Sequence, residues 1–448
     1  MAENKPKPMV IYGGPLFDGE NEVYEDGAIF FADGKIISVG NEETVFSAMP
    51  RDVEIETYDT RGKVIFPGLI NTHHHFYSAF ARGLAPLKPI HNFKECLKHL
   101  WWQLDQALDP ESIQLSTLIS LLDSIRHGVT TIFDHHSSPK SIKGSLTNIA
   151  AVVERAGIKA CLCYEISDRN GKTAFQQGLT ENLNFIAAHR QHPTIRGMLG
   201  LHANFTLSEE SLQEIAQHFD SSVGIHIHCA EDLSDVQFCQ NLGYAGPVSR
   251  LYHFDLLSPH TILAHGVHLS DGEWQIAADT HCSVIHNPES NMNNNVGRLP
   301  LPLNITPLMG LGTDGMTSNM LQTLRAGFLL HRQAGVSAEI LLQLLPDILF
   351  RQNAQIARRF FDSAIGHLIV GAPADIVVFD HIPYTTFNRA NLAAHLVYGM
   401  AESRATLVIA DGKCIYEDGV FLTLDEELIL EESQKASQRL WQQFGKAK

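Results

Sequence analysis

From residue 64 to residue 314, short apolar runs alternate with longer stretches whose apolar positions recur every three or four residues. The first pattern predicts buried strands and the second predicts amphipathic helices. Eight runs read as strands: 64–70, 129–134, 159–165, 196–202, 223–228, 261–265, 283–286 and 308–314. Helical patterns such as Glu111–Arg126 and Leu146–Ala156 lie between them. Alternating strand and helix is the α/β signature. Eight parallel strands of this kind predict a (β/α)8 TIM barrel over residues 67–367.

The flanks read differently. Val10, Tyr12, Ala28-Ile29-Phe30-Phe31 and Lys35–Val39 form short β-type runs, and Asp33-Gly34 between two of them is a type I′ hairpin signal. The motif returns late in the chain: Phe31-Ala32-Asp33-Gly34-Lys35-Ile36 is echoed by Ile409-Ala410-Asp411-Gly412-Lys413-Cys414, after a further strand at Asp375–Asp380. Isolated hairpins are marginal in water. Residues 1–66 and 368–423 are therefore expected to pair into one small β-sandwich flanking the barrel. Residues 424–448 read as a terminal helix, opened by Asp425, Glu426 and Glu427 as the helix dipole favours.

Composition narrows the partners. The chain has 448 residues, 44% hydrophobic and 19% charged, enough for a large core. Its net charge of -17 argues against nucleic acid, which needs a basic footprint. Seven scattered cysteines with no C-x-x-C fit reduced thiols in a cytoplasmic protein. Lys5 and Lys7 are followed by no apolar stretch of the signal-peptide kind, and no run approaches the ~18 residues of a membrane span. The expected partner is a small molecule, with no nucleic acid and no membrane.

The strand ends carry the chemistry. Read to their C-terminal edges, the eight runs finish at His73/His75, Asp134/His135, Glu165, His202, His228, His265, His286 and Asp314. A barrel places its site at that face. One histidine there is ordinarily structural; this concentration reads as a metal centre. A His-x-His pair projects both rings to one side of the pleat. With His228 and Asp314, His73 and His75 make a ligand set for one divalent ion, leaving a position for water. Zinc leads, with iron or manganese accepted by the same donors. Glu231, three residues after His228, can shuttle protons, and His265 can aim the attacking water. The fourth strand has no lysine to bridge two metals and ends in His202, which is left for substrate. Ser78 and Arg82 follow the first strand and Arg169 the third. Two arginines at the mouth favour carbonyl or carboxylate oxygens on the substrate. Trp102 can stack on a planar ring. Asn291, Asn293, Asn294 and Asn295 offer amides to substrate or to turns.

Pro67–His75, His226–Glu231, His286-Asn287-Pro288 and Gly312-Thr313-Asp314-Gly315 resemble the amidohydrolase superfamily, in its cytosine/guanine deaminase and chlorohydrolase branch. Phe76-Tyr77-Ser78, Trp101-Trp102, Asp134-His135-His136, Asp168-Arg169-Asn170 and Ser290–Asn294 bring the chain nearest to SsnA-type aminohydrolases. The resemblance implies a barrel with a flanking β-sandwich, a mononuclear metal and hydrolytic deamination of a heterocycle, and it is compatible with a homodimer. Related 8-oxopurine deaminases carry a substrate-binding glutamine where this chain has Ser78, which argues against an 8-oxopurine. The expected activity is replacement of the amine at a C–NH2 carbon of a purine, pyrimidine or pterin-like ring, releasing ammonia. Asp314 and His265 would take the proton of the attacking water, and Glu231 would protonate the ring and the leaving amine. A chlorohydrolase, a cyclic amidohydrolase or a non-catalytic metal-binding accessory protein are the alternatives. Glu231 and His265 together favour deamination, because a leaving amine needs a proton and chloride does not.

Overall fold

The structure is a computed structural model that describes residues 7–301 and 307–446. The N-terminal segment supplies five strands: β1 (Met9–Phe17), β2 (Val23–Ala32), β3 (Lys35–Asn41), β4 (Glu56–Asp59) and β5 (Val64–Pro67). The β2–β3 hairpin turns at Asp33 and Gly34, both left-handed (φ 48° and 81°), as a type I′ turn requires.

Nine short parallel strands follow. β6 (Leu69–His74), β7 (Val129–His136), β8 (Lys159–Tyr164) and β9 (Ile195–Gly197) form a four-stranded sheet. β10 (Leu199–Ala203), β11 (Ile225–Cys229), β12 (Ile262–His265), β13 (Ser283–His286) and β14 (Leu308–Leu311) form a five-stranded one. Parallel bridges His74–Asp314 and Ile166–Leu201 link the two sheets at both junctions. Helices including Pro110–Arg126, Ser145–Ala156, Gly171–His189 and Met320–Gln333 connect the strands.

Two expected strands divide. The run 64–70 breaks at Gly68: its first half joins the end sheet and its second half starts the parallel set. A Cβ at Gly68 would lie 2.2 Å from Thr130 Oγ1, so only glycine lets the chain cross β7 there. The run 196–202 breaks at Met198, with β9 pairing β8 and β10 pairing β11. The first run is apolar throughout and the second is apolar from Gly197 to Leu201, so periodicity carries no mark of the change of sheet.

The chain then returns to the first sheet with β15 (Ile376–Phe379), β16 (Ala405–Ala410), β17 (Lys413–Glu417) and β18 (Val420–Phe421). The sheet runs β18-β17-β16-β15-β5-β1-β2-β3, with β4 beside β1. Its residues alternate between two cores. Ile65, Ile376, Val378, Leu407 and Ile409 pack with Ile11, Ile29 and Ile36, while Val64, Phe66, Val377, Phe379 and Val408 face the main core. The two Asp-Gly turns touch: a Cβ on Gly412 would lie 2.4 Å from Gly34 Cα. Beneath them, buried Lys159 of β8 pairs with Asp375 at 2.9 Å, and Asp375 also accepts from the Asp411 amide at 2.8 Å.

The last helix, Glu426–Gln443, is capped by Asp425, whose side chain accepts from the Leu428 amide. It packs along Pro110–Arg126, and Trp441 Nε1 donates to the Phe80 carbonyl at 2.8 Å. Among the described residues no helix is long and apolar enough to cross a membrane.

Candidate active site

The pleat sorts the three adjacent histidines. His73 and His75 point one way, with ring centroids 5.0 Å apart. His74 points the other way, to Ser120 Oγ (2.6 Å) and Thr313 Oγ1 (2.9 Å). His73, His75, His228 of β11, His265 of β12 and Asp314 beyond β14 converge. His75 Nε2 lies 3.1 Å from His228 Nε2 and 3.0 Å from Asp314 Oδ1, and His73 Nε2 lies 3.6 Å from that oxygen. Ligand atoms of His73, His228, His265 and Asp314 all fall within 4.8 Å of one another. The backbone is held in unusual conformations here, with left-handed Ala230 (φ 50°), His265 (φ 77°) and Asp314 (φ 52°). Gly312 makes room: a Cβ there would lie 2.6 Å from Asn287 Oδ1 and 2.9 Å from His73 Cβ.

The outer nitrogens are all engaged. His75 Nδ1 donates to the His135 carbonyl, His228 Nδ1 to the His202 carbonyl (2.9 Å), and His265 Nδ1 to Asn291 Oδ1 (2.9 Å). These bonds put a proton on each Nδ1 and turn each Nε2 inward, the nitrogen a cation would take. His73 Nδ1 shares a 2.8 Å hydrogen bond with His226 Nε2. His73 Nε2 and His265 Nε2 are buried with no hydrogen-bond partner. Such orphaned acceptors are rare in a finished interior, and a cation among them answers the need. The electrostatics agree. Burial alone would raise Asp314, yet His73 and His75 hold its carboxyl well below the usual range. Burial alone would lower His75, yet Asp314 lifts it to about 9. Burial has the upper hand at the other two, driving His73 well below its ordinary pKa and His228 down to about 3, so both stay neutral.

Glu231 stands beside it, Oε2 3.6 Å from His265 Nε2. Asn294 Nδ2 donates to its Oε1 at 3.1 Å. Burial raises its carboxyl to about 7, against the pull of His265. Ser290 Oγ donates to Asp314 Oδ2 at 2.5 Å. The Ser290–Asn294 segment is therefore a support: Ser290 fixes Asp314, Asn291 fixes His265 and Asn294 fixes Glu231.

A cleft of about 740 Å³, counting its open mouth, leads to this centre. Its lining includes His202, Trp102 and Arg169. Burial first, then the Arg169 charge, keep His202 well below its ordinary pKa and neutral. Two expected substrate contacts are not brought to the cleft. Ser78 Oγ is buried and donates to the His75 carbonyl at 2.7 Å. Arg82 is turned outward by the 3-10 segment Phe76–Ala81 and pairs with Asp123 of the helix Pro110–Arg126 at 2.8 Å. Arg169 lines the cleft but is not free: it pairs with Glu165 and, at 2.8 Å, with Asp105 Oδ2. Burial raises Glu165 to about 7, against Arg169. Asp105 goes unnoticed in the sequence, whereas Ser290 and His226 lie in the motifs singled out there but with no role given to either. The place of His226 two residues before His228, and so on the same strand face, is the signal for its contact with His73. Asp105 lies in the segment between β6 and β7 and carries no local signal.

The Amidohydrolase family profile matches residues 64–415. A 5-methylthioadenosine/S-adenosylhomocysteine deaminase of Pelotomaculum thermopropionicum is 30% identical over 433 residues, covering 94% of this chain and 96% of the relative. Among solved structures, an adenosine deaminase from Xanthomonas campestris with bound zinc superposes with a TM-score of 0.84 at 20% identity, covering 97% of this chain and 99% of the other. A zinc-complexed atrazine chlorohydrolase from Arthrobacter aurescens gives 0.80 at 24% identity, covering 96% and 100%.

Proposed function

Because the chain belongs to the amidohydrolase family, we propose that it is a metal-dependent hydrolytic deaminase acting on a C–NH2 carbon of a nitrogen heterocycle. One observation carries the reading: inward-facing imidazole nitrogens and Asp314 converge beside a buried carboxyl group, Glu231, held near neutrality. We read the two parallel sheets as one closed barrel over 67–367. The end sheet is then a sandwich unit of 1–66 and 368–423. The bridges at both junctions and the paired chain ends support this.

His73, His75, His228 and Asp314 would hold one divalent ion, zinc first, which when bound would lower the pKa of water toward neutrality. Asp314, with Oδ2 3.7 Å from His265 Nε2, and His265 itself are placed to take a proton from the attacking water. Glu231, near neutral pKa, can give a proton to the ring nitrogen beside the reacting carbon and then to the departing amine. Water adds and ammonia leaves, so the product is the oxo heterocycle. His202 and Trp102 face the ring. Dechlorination is the second use of such a site, but the Glu231 proton supply serves an amine and not chloride.

The relatives named for adenine nucleosides put these first in a panel, followed by aminopyrimidines, guanine and pterins. Ammonia release by metal-replete protein from at least one of them is the expected result. Silence across the panel from protein with full metal content would overturn the assignment.

A further inference from the structure

We infer that the wall of the cleft around Arg169 admits neutral or cationic heterocycles and rejects anionic ones, with Glu165 and Asp105 as the selecting residues. The inference rests on the deaminase reading in one respect: the scissile amine lies at the histidine–aspartate centre, so the remainder of the substrate extends toward Arg169.

Charge balance carries it. The cleft is lined by six carboxyl residues, Asp105, Glu165, Glu231, Asp232, Asp235 and Asp314, against a single guanidinium, Arg169. That guanidinium is already committed. It pairs with Glu165 and with Asp105 Oδ2 (2.8 Å), and it donates to Ser137 Oγ (3.1 Å), which in turn donates to Asp105 Oδ2 (3.1 Å). Trp102 lies over it, with Cζ 5.2 Å from the ring centroid. Arg169 and both carboxylates are largely buried, where water screens little. The guanidinium is thus shared between two carboxyl groups and has no free charge to offer a ligand. Asp105 Oδ1 is buried there without a hydrogen-bond partner, and so is the Trp102 Nε1 donor. An incoming carboxylate or phosphate would therefore meet like charge and no spare cation, whereas an ammonium, amine or hydroxyl would meet acceptors. Of the carbonyl or carboxylate oxygens expected from the two arginines, this keeps the carbonyl and sets aside the carboxylate.

The test uses matched pairs on full-length, metal-replete protein: adenosine-5′-carboxamide against adenosine-5′-carboxylate, and pterin against pterin-6-carboxylate. Ammonia release gives kcat/KM, and calorimetry gives binding. Within a pair, the anionic member should be poorer by ~10-fold or more, about 1.4 kcal/mol per decade. Glu165→Gln, or Asp105→Asn should the first fold badly, should narrow that ratio several-fold with metal content retained. Equal or better handling of the carboxylates overturns the inference, as does a ratio unchanged in both variants. If no ammonia appears, the deaminase reading fails, and calorimetry on the same pairs still decides the charge preference: tighter or equal binding of the carboxylates overturns it.

Discussion

At the scale of single residues, the roles separate by what each side chain touches. Glu231 reaches His265 and Asn294, so Glu231→Gln keeps its shape and removes its proton. Turnover should fall by ~10²–10⁴-fold while elemental analysis finds the metal unchanged; loss of metal with activity would make Glu231 a structural support. Arg82→Met should leave kcat/KM within about twofold, the usual reach of an exposed pair away from substrate. A larger loss, measured on the working substrate, would return Arg82 to the binding machinery. The contrast between these two explains what was legible. His73, His75 and His228 stand out because strand alternation fixes the facing of each residue once the strand is found. Arg82 follows a strand end by several residues, and only the intervening 3-10 turn decides that it faces Asp123. Asp105 and Glu165 meet Arg169 from two separate segments, and no window of sequence contains all three.

At the scale of elements, the apolar runs gave away nearly every strand but not its sheet. Gly68 and Met198 sit inside unbroken hydrophobic stretches, and what changes there is the partner strand, which periodicity does not encode. Helix–loop contacts were equally silent. On the helix Pro110–Arg126, burial would raise Asp123, but His127 and then Arg82 outweigh it and hold the carboxyl below the ordinary range. A depressed carboxyl contributes stability that is present above the unfolded value of ~3.9 and is lost as pH falls through the folded one. Asp123→Asn should therefore lower the urea midpoint at pH 6 and shrink the wild-type decline between pH 4 and lower values. Parallel acid limbs in wild type and variant would show that Asp123 does not drive the loss.

At the scale of the whole molecule, the parallel strands and the end sheet are pinned together by a buried ion pair. Lys159 and Asp375 are each almost fully buried, and Asp375 also holds the second Asp-Gly turn. Replacing one partner strands the other charge in the interior. Asp375→Ala should cost ~3–5 kcal/mol in denaturant unfolding, and Lys159→Met with Asp375→Leu should recover part of that. A single-variant loss below about 1 kcal/mol would mean that water reaches the pair.

The sheet shared by the two ends also sets an order of events. β5 finds β15 only after a loop of roughly 300 residues has closed, and such non-local pairing comes late because its entropy must be lost before its contacts form. On the ribosome, the N-terminal strands emerge first and wait, with the β5 edge bare, while the parallel strands fold behind them. An unpaired edge of that kind invites other chains. The returning segment adds β15 to shield that edge and lays Trp441 against the loop that follows β6, so strands far along the chain complete the folding of those before them.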